Sequence, residues 1–445
     1  MIRTQVCVLG AGAGGTGCVY RLAKRGINTV VVDKNPDYGG TAVFAGVDGW
    51  EPGPTLDGMH ALLYEKMSAE GGCHVVEQVP NCNIFDKENG YNWNNHSFSE
   101  RPWGLSLASE CTYDDTLKNA TFGHMKRLQF EPDSYIRAVR GVLDEYKGCI
   151  SELFGYRYVG CKTDGRRIVS ITVTNGELTE EIVADVFVDA SGDIVLARNA
   201  GCAYSIGCEG RKTYGEPSAG EMSKLVNAVS YVFRIKPTDD PEHIDDIPTQ
   251  YASVDIEDYK RGPMRKTVSC FVEYPSGAYN LNMLPTMEGA EYLALGKRAD
   301  LICRARVWAY WHYLQSERGL CGYTLTYVYD AGVRESYRLV GKYVLCEQDL
   351  RAGKPVGNTS GRVIAIADHA MDIHGESGMC NALDRPYEVP IECAETREYD
   401  NLFVACRGAS FSHIAASSVR LTRTMISMGE GVGEYIADKI QGISG

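Results

Sequence analysis

The chain has 445 residues, 44% hydrophobic and 23% charged, which sits near the globular norm and excludes wholesale disorder. A formal net charge of −13 argues against nucleic acid or an anionic membrane as the main partner, and no apolar run approaches the roughly 18 residues of a membrane span. Sixteen cysteines without a C-x-x-C pair predict no disulfide framework, no redox-active disulfide and no metal site.

Met1–Gln5 runs straight into an apolar strand, which leaves no room for a signal peptide and predicts a cytoplasmic address. Val6–Leu9 ends in G-x-G-x-x-G (Gly10, Gly12, Gly15, with Ala13 and Gly14 inside the turn). A helical pattern through Cys18, Val19, Leu22 and Ala23 follows and closes at Gly26; a second apolar run, Thr29–Val32, ends in Asp33 with Lys34 beside it. Strand, glycines, helix, strand and acid in this order form the βαβ dinucleotide fingerprint. Gly10 permits the tight turn, Gly12 admits a pyrophosphate, and Gly15 lets helix and strand pack closely. An acid at 33 suits a ribose 2′-hydroxyl and disfavours a 2′-phosphate. By itself the fingerprint leaves FAD and NAD both open.

Further along, Asp37–Ala42 holds a second glycine turn with Gly40 and Thr41. Residues 80–124 are polar, aromatic and aperiodic, which predicts a functional loop or interaction surface. Pro132-Asp133-Ser134 opens an amphipathic helix with Asp133 or Ser134 as N-cap. Thr163–Arg166 reads as a hairpin turn with Val169, Ile171 and Val173 alternating inward, and Thr174–Glu177 as the next turn. Val183–Asp193 is a strand entering the small-residue turn Ala190-Ser191-Gly192-Asp193. Eight acids and no Lys or Arg lie between Asp239 and Asp258, predicting a solvated loop. A helix is expected over 297–318, with Leu301, Trp308, Trp311 and Tyr313 mostly in the core. Asn401–Ser410 is another strand and glycine turn, followed by helical sequence ending near Gly433.

The chain resembles the two-dinucleotide-binding-domain flavoproteins, and more closely the FAD-dependent oxidoreductase family related in fold to succinate dehydrogenase and fumarate reductase flavoproteins. The resemblance rests on Asp189–Asp193, Gly332–Arg338, Ile373-His374-Gly375, Asn401–Ser410 and Met428-Gly429-x-x-Val432-Gly433. It implies an α/β fold: a discontinuous Rossmann-like FAD-binding domain of the GR2 type with an inserted α+β substrate or cap domain. The expected parts are 1–70, a loop-rich insertion at 71–125, a β-meander segment at 126–205, the cap at 206–354 and a return at 355–445. It further implies that Gly10, Gly12, Ala13, Gly14 and Gly15 hold the pyrophosphate, and Asp33 and Lys34 flank the adenosine ribose. Gly40 and Thr41 would lie along the pyrophosphate or flavin, and Ala190, Ser191, Gly192 and Asp193 by the adenosine. Arg407 and Gly408 would meet the ribityl chain, and Gly429 with Val432 would present a helix amino terminus to the flavin pyrimidine. Cys406 stands where the family usually has glycine.

Such an enzyme transfers hydride between a small organic substrate and the flavin N5, with the protein supplying orientation, charge and a proton. A carboxylate or carbonyl substrate calls for arginine, and proton exchange most often for histidine. Arg334, Arg420, His413 and His374 are the candidates. Arg334 and Arg338 would share a face if their stretch is helical, with an ion pair to the FAD domain as the plainer alternative. His60, His96, His124 and His243 read as surface or structural. Only one complete fingerprint is present, so the electron donor or acceptor is external and unknown. A lyase or isomerase that keeps FAD without net redox change is the alternative. A nucleic-acid-modifying flavoprotein is disfavoured by the charge, Lys260-Arg261 and Arg265-Lys266 being the only basic cluster.

Overall fold

Apolar runs that are buried on both faces make central parallel strands, and the run ending at Leu9 does so here. The computed structural model describes residues 1–51, 57–78, 125–254, 256–257, 268–376 and 378–443. Its main sheet contains β1 (Ile2–Leu9), β2 (Thr29–Asp33), β3 (Ile150–Phe154), β4 (Arg157–Asp164), β5 (Arg167–Thr174) and β6 (Thr179–Asp189), in the order β3-β2-β1-β6-β5-β4. β3, β2, β1 and β6 run parallel. β6 is long enough to serve two neighbours on one edge. Its first half pairs antiparallel with β5, and its last residues pair parallel with the short strand Leu402–Val404. The carboxyl ends of β1, β6 and Leu402–Val404 therefore lie side by side, and Ala190 N donates to Leu9 O while Ala405 N donates to Asp189 O. That edge is where open α/β sheets bind ligands.

Helix α1 (Ala13–Lys24) follows β1, and α2 (Pro132–Leu143) packs against the segment Thr41–Phe44. α2 begins two or three residues earlier than its sequence suggests: Glu131 is the N-cap position, and neither Asp133 nor Ser134 caps it. Proline at the first helical position supplies the required φ without a side-chain cap, and the buried Ser134 hydroxyl donates to Glu70. The β4–β5 hairpin forms at Gly165-Arg166, yet Val169 points outward while Ile168 and Ser170 are buried. The register slips between Lys162/Ser170 and Thr163/Ile168, so Val169 is the extra residue of a bulge. Strands Cys73–Gln78 and Met125–Phe130 pair at the borders of the expected insertion; the rest of that insertion, with His96 and His124, lies outside the described residues.

A second hydrophobic core belongs to the antiparallel sheet β7 (Val229–Pro237), β8 (Val268–Glu273), β9 (Tyr279–Met287) and β10 (Tyr323–Gly332), ordered β8-β9-β7-β10, with α3 (Lys297–Arg318) on its face. Cys303, Val307, Tyr310, Trp311 and Leu314 face that sheet, Leu301 is exposed, and Trp308 stacks on Tyr251. This core draws on Val229 to Val333, whereas Ala219, Leu339, Leu345 and Leu350 belong to the first core, so it is narrower than 206–354. The acidic loop is not wholly solvated. Asp245 accepts from Trp311 Nε1, Leu325 N and Thr324 Oγ1, which pins the loop to α3 and β10.

The chain ends in α4 (His413–Val419) and α5 (Thr422–Gln441). α5 lies against α1 through glycines rather than stopping near Gly433. A Cβ on Gly429 would stand 1.9 Å from Gly14 O, and one on Gly431 2.3 Å from Ile364 O.

Candidate active site

The first glycine loop has the geometry its sequence requires. Gly10 has φ +111° and a Cβ there would lie 2.3 Å from Ala190 O; a Cβ on Gly15 would lie 1.8 Å from Gly10 O. Neither clash involves a ligand: both glycines let β1, α1 and the β6 turn close on one another. Gly12 differs. A Cβ there would meet no protein atom nearer than Gly40 Cα at 3.8 Å, so it would project into the cradle in front of the α1 amino terminus. Gly39 N donates to Ala11 O, and a Cβ on Gly40 (φ +51°) would meet Gly12 Cα at 2.6 Å. The two glycine turns thus form one wall beside a helix amino terminus, the arrangement that suits a pyrophosphate. Asp33, at the end of β2, accepts from Ala11 N (2.6 Å) and Asn35 N (2.8 Å), and burial raises its pKa above the ordinary carboxylate range. Lys34 beside it is exposed.

The second wall comes from the β6 turn. Asp189 is fully buried and accepts from Ser191 N and Oγ, Leu196 N and Ala197 N, which folds Ala190–Asp193 tightly. Gly192 (φ +80°) leaves room for the Arg407 guanidinium, whose Nη1 would lie 2.4 Å from a Cβ. Asp193 is turned to Arg407 Nη2 (2.9 Å) and Ser336 Oγ (2.7 Å), so its carboxylate braces the Arg407 loop. Ile194 holds φ +46°, a strained value for a β-branched residue, with its side chain against Gly408. Cys406 is buried, and burial pushes its thiol up to about 12.

One expected contact is overturned. Gly429 and Val432 lie in the middle of α5, not at a helix start, and Val432 is fully buried in the core. The small residues at 429, 431 and 433 serve helix packing; the amino terminus of α5 is at Leu421–Thr422.

Of the four expected catalytic residues, three come together. Asp372 Oδ2 pairs with His374 Nε2 (2.6 Å) and with Arg420 Nη2 (3.2 Å). Arg334 lies beside Arg420 and donates only to Ala228 O (3.3 Å) and Ser230 Oγ (2.9 Å). Among the described residues it has no ion pair. Burial first, and then the neighbouring Arg420 charge, bring its pKa down to about 9. The Arg420 Nε is likewise buried without a hydrogen-bond partner, and burial lowers its pKa. Asp372 is held well below the ordinary carboxylate range: burial opposes its charge, but His374, Arg420 and His369 prevail. Burial, with help from Arg334 and Arg420, lowers the pKa of His374 despite Asp372.

Sequence alone missed the supporting groups: His369 with Glu51 (3.3 Å), and Arg423 with Asp368 and Glu51 O. Asp372 was legible in part, since residues two apart on a strand share a face with His374. Asn227 closes the network, accepting from His374 N and donating to Asp372 O.

His413 goes elsewhere. Its Nδ1 lies 2.9 Å from both Glu335 oxygens, and Glu335 also binds Arg338 and Asn227 N. The 333–337 stretch is not helical, so Arg334 and Arg338 point apart. Arg338 is fully buried, bonded to Glu209 (2.5 Å), Gly207 O and Phe411 O. The ion-pair alternative thus describes Arg338, not Arg334. His60 is buried against Trp50, and His243 binds Asp245. The basic cluster at 260–266 lies outside the described residues. No helix among the described residues is long and apolar enough to cross a membrane.

A Rossmann-type sheet with two glycine turns at one crevice defines a dinucleotide-binding protein, and the described residues add a part-buried cationic cluster at Arg334 and Arg420. The chain belongs to the FAD dependent oxidoreductase family, whose model matches residues 5–442. FAD is its cofactor, and the open cradle at Gly12 fits it. No curated protein matches the chain. Among solved structures it is similar to a geranylgeranyl bacteriochlorophyll reductase-like protein of Thermoplasma acidophilum (TM-score 0.49, 11% identity, covering 99% of this chain and 80% of that one). It is also similar to a flavoprotein/dehydrogenase of Cytophaga hutchinsonii (0.47, 11%, 99% and 80%) and to the p-nitrophenol 4-monooxygenase of Pseudomonas putida (0.42, 12%, 77% and 70%).

Proposed function

We propose that this oxidoreductase moves a hydride between FAD N5 and a small organic substrate carrying a carboxylate, bound by Arg334 and Arg420. The observation that carries this reading is Arg334: a part-buried guanidinium beside a second one, with no ion pair among the described residues. Burying such a charge is costly unless a partner arrives. A substrate carboxylate is that partner, since a guanidinium fork binds it bidentately.

FAD, when bound, supplies the centre that takes or returns the hydride. The chain supplies the rest. Gly10, Gly12, Gly14, Gly15 and Ala13 form the cradle for the pyrophosphate, closed by Gly40 and Thr41, with Asp33 and Lys34 at the ribose end. Ala190, Ser191, Gly192 and Gly408 shape the opposite wall, and Asp193 positions Arg407. Asp372 fixes Arg420 and orients His374. Because the Asp372 carboxylate can only accept, His374 donates from Nε2, which leaves Nδ1 as the basic nitrogen. His374 takes the substrate proton when hydride leaves and returns it in the reverse direction.

Arg334→Ala tests the reading. Losing charge-assisted bonds worth about 1.5–3 kcal/mol should raise KM for the carboxylate substrate roughly tenfold or more, with FAD content unchanged. An apo-protein from this variant would instead make Arg334 structural.

A further inference from the structure

Arg334 stands just past the end of β10, where the chain leaves the cap sheet, and its guanidinium turns back to the neighbouring strand β7. Ser230, on β7, is the Cα partner of Gly332, and the pairing slips around it: against β9 between Val229 and Tyr231, against β10 between Tyr231 and Phe233. A Cβ on Gly332 would lie 3.3 Å from Ser230 Oγ, so glycine there leaves the hydroxyl its place. Ser230 is buried, and its Oγ accepts from Arg334 Nη1 at 2.9 Å; the same nitrogen donates to Ala228 O at 3.3 Å. Both acceptors therefore grip one nitrogen. Nε and Nη2, which line the side edge of the fork, have no partner among the described residues and are not sealed from solvent. Arg420 differs: its Nη2 is taken by Asp372 and its Nε is buried without a partner, so it cannot offer the same edge.

The segment that holds Arg334 is fixed to the other half of the site. Ala228 N donates to His374 O (3.0 Å), Asn227 Oδ1 accepts from His374 N (3.0 Å), and Asn227 Nδ2 donates to Asp372 O (3.2 Å). These bonds set residues 227–230 in register with the strand that carries Asp372 and His374, and the Ser230–Nη1 bond then aims the guanidinium from that frame. We infer that Ser230 is a positioning residue of the carboxylate site: by holding Nη1 it keeps the Nε–Nη2 edge of Arg334 free and turned to the ligand, which binds there side-on through both carboxylate oxygens. The inference rests on the carboxylate reading of Arg334, and adds the edge that is used and the residue that aims it. Two parallel N–H bonds to two carboxylate oxygens are the strongest arrangement a guanidinium offers. Serine suits the task because its hydroxyl accepts from Nη1 without bringing a charge; a carboxylate at 230 would neutralise Arg334 and compete with the ligand.

The holoprotein is titrated with acetate by calorimetry, with acetamide as the uncharged probe of the same shape. Acetate should bind, and acetamide at least about tenfold more weakly. Ser230→Ala should weaken acetate about fivefold with flavin content unchanged. It should change nothing further in an Arg334→Ala background, because the hydroxyl acts only through the guanidinium. Arg334→Lys keeps the charge but has no fork, and should weaken acetate about tenfold. Acetate bound by Ser230→Ala as tightly as by the parent, a further loss when Ser230→Ala is added to Arg334→Ala, or parental affinity in Arg334→Lys would each overturn the inference and leave the carboxylate reading standing. No acetate binding by the parent, or binding undiminished in Arg334→Ala, would overturn that reading and this inference with it.

Discussion

Replacing Gly429 by alanine separates packing from cofactor contact. A Cβ at 429 would lie 1.9 Å from Gly14 O, 2.8 Å from Gly14 C and 2.9 Å from Cys18 N, all backbone atoms of α1. Reaching ordinary contact at 3.4 Å requires α5 and α1 to part by about 1.5 Å. These two helices share the most extensive contact among the described elements, and Gly14 is in the first turn of α1, the helix whose amino terminus is proposed to receive the pyrophosphate. Overpacking of this kind costs about 1–3 kcal/mol, and a loop displaced by that distance loses charge-assisted N–H bonds worth about 1.5–3 kcal/mol each. Gly429→Ala should therefore melt several degrees lower and bind FAD at least about tenfold more weakly. Gly160→Ala, on the β4 surface with no atom within 4 Å of the new Cβ, serves as the control and should change neither. The assay is thermal unfolding with and without added FAD, plus a fluorescence titration of the apo-protein. A Gly429→Ala protein that melts and binds FAD like the parent would refute the close-packed seam.

His374 has its pKa lowered from 6.5, so it is neutral at pH 7, and substrate oxidation should lose rate only as pH falls below that value; His374→Gln should abolish that acid limb, measured as kcat/KM between pH 4.5 and 8. Asp372→Asn removes the carboxylate that holds both His374 and Arg420, and should lower turnover while FAD content stays unchanged, read by steady-state rate and flavin stoichiometry. Asp48 is fully buried among Tyr274, Asn280 and Gln129, and burial pushes its pKa up to about 7. A carboxyl raised in the folded state contributes stability that is full below its unfolded pKa and lost as pH rises through the folded value. Asp48→Asn should therefore gain in Tm relative to the parent between pH 5 and pH 8, by thermal melts at both; a constant difference would count against a protonated Asp48.

What the sequence made legible was local. The βαβ fingerprint binds through backbone, so its requirements are written in consecutive glycines and an acid, and Gly10 to Asp33 fold as those residues demand. α3 spans Lys297–Arg318 because its large side chains recur at helical spacing. Gly429 was ambiguous because small residues in a helix look alike whether they face a cofactor or another helix; only the position of α5 against Gly14 separates the two. Val169 was misplaced because a bulge changes the alternation without changing composition. The catalytic cluster was legible as residue types but not as a set. Glu51, Arg334, Asp372 and Arg420 come from four distant segments, and whether His374 or His413 joins them depends on which carboxylate each meets.

The central claim is that the part-buried Arg334–Arg420 pair receives a substrate carboxylate beside the flavin. It is tested most directly by anaerobic titration of the holoprotein with a panel of small carboxylic acids and their amides, following the flavin absorbance. The account predicts saturable perturbation or bleaching by an acid, none by its amide, and loss of the response in Arg334→Ala with flavin retained. A response as strong with the amide, or undiminished in Arg334→Ala, would contradict it.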